Sequence, residues 1–101
     1  MNLIQYLEPK KRVLDFSRCK YLGEIHQTIQ EELELPEWYG QNLDAFWDSI
    51  TGIMYLPVDI TIIYKPKTNR CEELTREIDK IIDILNRAID EYGEITLQID
   101  M

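Results

Sequence analysis

The sequence predicts an α/β fold, a small three-stranded parallel sheet packed with helices. Three observations carry this. Short β-tending segments alternate with helical ones in the order strand, helix, helix, strand, helix, strand. Helical crossovers between successive strands bring those strands together in parallel, with right-handed connections. The segment Val58-Asp59-Ile60-Thr61-Ile62-Ile63-Tyr64 is β-branched and mostly apolar, as a buried central strand should be. The length of 101 residues suits a single domain, 1–101, with one hydrophobic core and few strands.

Met1 to Pro9 is an N-terminal extension to which no element is assigned, and Pro9 separates it from the first strand. Arg12 to Phe16 alternates and is β-tending, giving that strand. Ser17 to Lys20 is a turn. A helix is expected from about Tyr21 to Leu33, because Leu22, Ile25, Ile29 and Leu33 recur at spacings of three and four. Pro36 stops it. His26, the only histidine, lies beside that stripe. A packed helix histidine is the preferred reading, since no further ligands are spaced to form a metal site.

Leu35 to Gln41 is a loop with two adjacent aromatic rings, Trp38 and Tyr39, and Gly40 to permit a tight turn. Asn42 is a good N-cap for a second helix, about Leu43 to Ile53, whose end region Gly52 and Pro57 mark. After the Val58–Tyr64 strand comes a loop, Lys65 to Asn69, and then a third helix from about Arg70 to Tyr92. Leu74, Ile78, Ile81, Ile82, Leu85, Ala88 and Ile89 form its buried face, and its more polar start invites a break there. Gly93 suits the C-terminal cap. Ile95 to Ile99 alternates and closes the sheet.

Composition narrows the function classes. The chain is 45% hydrophobic and 30% charged, ordinary for a soluble globular protein. Its net charge of −8 argues against nucleic acid as a direct partner. The charge favours a basic partner, or merely keeps the protein soluble. Apolar runs fall far short of the roughly 20 residues a membrane helix requires. The first residues do not resemble a secretory signal. Cys19 and Cys71 are too few for a disulfide scaffold and read as free thiols in a reducing cytoplasm.

The second helix carries the information. On a wheel of 100° per residue, Leu43, Phe46, Ile50, Ile53 and Met54 gather on a core side. Asp44, Asp48 and Thr51 gather on another side, next to Trp47. Asp44 in the first turn is explained by the helix dipole alone. Asp48 is not, because it lies past that turn, repels Asp44 at i,i+4, and is a poor helix former. The patch admits three readings: an enzymatic carboxylate pair, a docking surface for a basic protein, or an inert surface. The first lacks the environments that separate the pKa values of an acid–base pair. Nor is there a metal-binding loop, an activated nucleophile or a glycine-rich phosphate loop, so no enzyme and no cofactor are expected. Aromatic side chains beside acidic ones favour the second.

The run Leu35-Pro36-Glu37-Trp38-Tyr39-Gly40-Gln41-Asn42-Leu43-Asp44-Ala45-Phe46-Trp47-Asp48 resembles the barstar family, intracellular inhibitors of the ribonuclease barnase. His26-Gln27-Thr28, Glu32-Leu33, Thr51-Gly52 and Pro57 extend the likeness, which covers most of the chain after Lys11. The resemblance implies a barstar-like fold and a cytoplasmic ribonuclease inhibitor, immunity protein or antitoxin, monomeric before complex formation. Its second helix and preceding loop would enter the cleft of a basic ribonuclease. Asp48 matches the aspartate that takes a substrate phosphate's place, and Asp44 one that pairs with an active-site arginine. Trp38 stands where the family packs a tyrosine on the catalytic histidine. Gly40, Asn42, Trp47 and Gly52 match residues at or beside the contact. Departures fall at the rim: Ile53 stands for a tryptophan, Tyr55 for an acidic residue, and Arg87 or Ala88 for a glutamate. Neither family cysteine is matched. The alternative is a barstar-fold module that binds another basic protein without inhibiting a nuclease.

Overall fold

The computed structural model describes residues 10–52, 57–64 and 72–100. The elements are β1 (Lys10–Asp15), α1 (Leu22–Glu32), α2 (Leu43–Gly52), β2 (Val58–Ile63), α3 (Glu72–Tyr92) and β3 (Ile95–Asp100). The extension 1–9, Ile53, Met54, Tyr55, the loop 65–69, Arg70 and Cys71 lie outside the described residues.

The three strands form one parallel sheet in the order β1-β2-β3. Lys10 registers with Val58, and Val58 with Ile95. β2 is central, and Val58, Ile60 and Ile62 are buried on one of its faces. Both crossovers step in the same direction across the sheet. Right-handed connections therefore place all three helices on the same face. The core is the contiguous layer between them: Leu14 and Phe16; Ile25 and Ile29 of α1; Phe46 and Ile50 of α2; and Leu74, Ile78, Ile81, Leu85 and Ala88 of α3.

Several boundaries differ from expectation. β1 begins two residues earlier, at Lys10, where charged side chains are tolerated because the strand is an exposed sheet edge. Phe16 leaves the strand but still donates its N–H to Ile63 at 2.9 Å. α3 is continuous over Glu72–Tyr92, so its polar start brings no break there. Its polar residues simply face outward, while Leu74 and Ile78 keep the apolar stripe. Ile82 and Ile89 are half-buried flanks rather than core. Gly93 has φ 67° and donates to Ile89 at 2.9 Å, closing α3 in the left-handed conformation that glycine adopts freely.

Candidate functional site

The loop between α1 and α2 is fixed from below. Leu33 donates its N–H to Ile29 at 3.0 Å and Leu35 donates to Gln30 at 2.9 Å, so the chain leaves α1 in a tight turn with Glu34 at φ 54°. The Gln30 side chain then donates to the Pro36 carbonyl at 2.8 Å, and the Tyr39 N–H donates to the same carbonyl at 2.9 Å. Leu35 and Tyr39 point into the core, while Trp38 between them is 73% exposed. An indole so placed leaves a large apolar surface in water, which folding alone does not favour.

Tyr39 is anchored by a buried polar chain. Its hydroxyl lies 2.9 Å from His26 Nδ1, and His26 Nε2 lies 2.6 Å from a Glu77 carboxylate oxygen. The chain thus ties α1 and α3 to the loop. Burial, and secondarily the negative charge of Glu77, push the Tyr39 phenol well above its ordinary value. His26 is the packed histidine that the sequence suggests, with only 3% of its surface exposed and both ring nitrogens in contact with polar partners. Its partner Glu77 lies 51 residues further along the chain, and no local pattern announces it.

The positive φ in this loop falls not on Gly40, expected to permit a tight turn, but on the next residue, Gln41, at 51°. The reason for a glycine at position 40 is space. A Cβ there would approach the Ala45 Cβ to 3.2 Å and the Asn42 side-chain nitrogen to 3.3 Å. Asn42 caps α2 as expected, its Oδ1 accepting the Ala45 N–H at 2.8 Å while its Nδ2 donates to the Gly40 carbonyl at 3.1 Å.

α2 divides into two sides. Phe46, Ser49 and Ile50 are buried, and Ser49 returns its hydroxyl to the Ala45 carbonyl at 2.8 Å. Asp44 and Asp48 are exposed, and neither carboxylate makes a hydrogen bond or ion pair with a described residue. Trp47 is half-buried against the core, and the Arg87 guanidinium of α3 lies 4.9 Å from its ring centroid. Thr51 holds the helix end by donating to the Trp47 carbonyl at 2.7 Å. Gly52 is exposed in the last turn and a Cβ would meet nothing there. Trp38, Gly40, Asn42, Asp44, Trp47, Asp48 and Gly52 are thus brought together on α2 and the loop before it. Asn42 and Gly40 build the helix start, whereas Trp38, Asp44 and Asp48 offer side chains outward.

The arrangement presents two carboxylates and an indole to solvent. Among the described residues no three His, Cys, Asp or Glu side chains gather as metal ligands. Cys19 is half-buried, its Sγ 3.8 Å from the Thr28 hydroxyl, and Cys71 lies outside the described residues. No helix among the described residues is long and apolar enough to cross a membrane.

The fold and this surface define a class. The family model described as Barstar (barnase inhibitor) matches residues 10–100, so the chain belongs to the barstar family. A similar protein is "Putative ribonuclease inhibitor YrdF" of Bacillus subtilis (strain 168). It is 28% identical over 85 residues, covering 84% of this chain and 91% of that one.

Proposed function

We propose that this chain is a non-catalytic inhibitor of a basic ribonuclease, seating α2 and the loop before it in the enzyme's active-site cleft. Family membership and the name of its Bacillus relative support a ribonuclease as partner. The observation that carries the binding mode is the outward pair Asp44 and Asp48, without internal partners among the described residues, with Trp38 exposed in the loop before α2. A nuclease cleft is a preorganised anion site, with cations placed for a phosphate and its developing charge. A rigid carboxylate can occupy that position and offers no scissile bond. Asp48 is the principal anchor and Asp44 pairs with a second cation of the cleft. Trp38 packs flat on the enzyme, and Trp47 stiffens the centre of the surface. Gly40, Asn42 and Gly52 shape the backbone around them.

The excess negative charge speeds encounter with a basic enzyme; the barnase–barstar pair is itself a known case of such steering. The protein acts as a cytoplasmic monomeric domain, protecting the cell from a ribonuclease it makes for export or receives as a toxin.

The test is titration into barnase while following RNA cleavage, with Asp48→Ala alongside. Stoichiometric loss of cleavage, with the variant much weaker, is expected. Equal inhibition by wild type and variant would refute the anchor. Complex formation without loss of cleavage would favour a binding module for another basic protein.

A further inference from the structure

We infer that Arg87 is a selectivity residue of the docking surface: held over Trp47, it disfavours ribonucleases that present a cation at that edge. The inference rests on the proposed inhibitory reading and adds a preference among its partners.

Arg87 is exposed on α3, and carboxylates are plentiful nearby on its own helix. Asp83 lies four residues before it, Asp90 three after and Glu91 four after. These are the spacings at which helical side chains ordinarily pair. Arg87 makes no ion pair with any of them, nor with any other described residue. Its guanidinium instead sits 4.9 Å from the Trp47 centroid, inside the range of a cation–π contact. A planar guanidinium stacks on an indole face and keeps its N–H edge directed outward.

That placement fixes a positive charge beside an acidic surface. Trp47 is three residues after Asp44, one before Asp48, and half-buried against the core. Thr51 braces the same turn. Any enzyme basic enough to favour Asp44 and Asp48 therefore meets one cation at the α3 edge of the contact. Like charges held together across an interface are strongly disfavoured and suppress wrong partners. An enzyme with a carboxylate or carbonyl opposite would instead receive guanidinium N–H donors.

The test measures association and dissociation rates for barnase, a generally basic probe, with wild type and Arg87→Glu, Arg87→Gln, Arg87→Lys, Asp48→Ala and Lys11→Glu. Arg87→Gln keeps a planar amide on the indole but removes the charge, and Arg87→Lys keeps the charge. Lys11 lies on the edge strand β1, so its reversal reports only the effect of net charge. Arg87→Glu should bind about tenfold or more tightly, chiefly through slower dissociation, with Arg87→Gln between it and wild type. Arg87→Lys should stay near wild type, and Lys11→Glu should alter association alone. Arg87→Glu binding no tighter than Lys11→Glu overturns the inference; if Asp48→Ala is then still much weaker, the inhibitory reading survives. Failure of every variant to bind overturns both.

Discussion

Replacing Tyr39 by phenylalanine removes one hydroxyl from the interior and leaves the ring in place. The Tyr39 hydroxyl is the polar partner of His26 Nδ1, whose other ring nitrogen meets the Glu77 carboxylate, and a hydroxyl can complement that nitrogen as donor or acceptor. His26 is only 3% exposed, so solvent has little access to replace that partner. The loss combines a hydrogen bond worth about 1 kcal/mol with a buried unsatisfied nitrogen, for a total of about 1–3 kcal/mol. For a domain of this size each kcal/mol lowers Tm by roughly 4–8 °C. The substitution also carries a pH signature. Because the folded phenol titrates above its ordinary value, the folded chain keeps a proton that the unfolded chain has lost. The stabilisation is present in full below about pH 10 and declines above it, by about 1.4 kcal/mol per pH unit for this one group. Tyr39→Phe lacks that decline. Urea unfolding at pH 7, 9, 10 and 11 should show a clear deficit for the variant at neutral pH that narrows above pH 10. Equal midpoints at pH 7, or parallel decline of both proteins in alkali, would refute the hydrogen-bonded, buried Tyr39.

Asn42→Ala should cost about 1 kcal/mol in chemical denaturation, because the Ala45 N–H loses its cap. Phe46→Ala empties a fully buried site and should cost about 3–5 kcal/mol by the same assay. In binding to barnase, Asp48→Ala should weaken the complex by about 2–5 kcal/mol, a range to which measurements on barnase–barstar itself contribute. Asp59→Ala, on β2 away from the surface, should leave affinity unchanged by calorimetry. Raising salt should slow association more than it speeds dissociation in stopped flow.

The fold was legible where burial imposes period and composition. Val58–Ile63 reads as a central strand because it is buried in the middle of the sheet, and the stripes of α1 and α3 follow the side that faces it. The Asn42 cap was legible because its partner lies three residues away. What escaped depends on residues far apart in sequence. Glu77 meets His26, and Arg87 meets Trp47, only because α3 packs over α1 and α2. Gly40 matters to the loop, but through space rather than through the turn expected of it. Its neighbour Gln41 takes the left-handed backbone while Gly40 supplies close approach, a distinction that composition does not make. The exposure of Trp38 beside a buried Tyr39 likewise stems from the fold rather than from two adjacent aromatic residues.

The parallel sheet has a consequence for when the surface can come into being. Lys10 must find Val58, and Val58 must find Ile95, with no hairpin to bring any pair together early. Such remote pairings make folding slow, because long loops must close before they are rewarded. The acidic helix is short, at 10 residues, and a helix of that length is marginal in water by itself. A peptide copied from residues 35–52 would contain nearly every residue of the motif and still present no ordered face. During synthesis the growing chain carries the motif long before it carries the surface, which waits on α3 and β3.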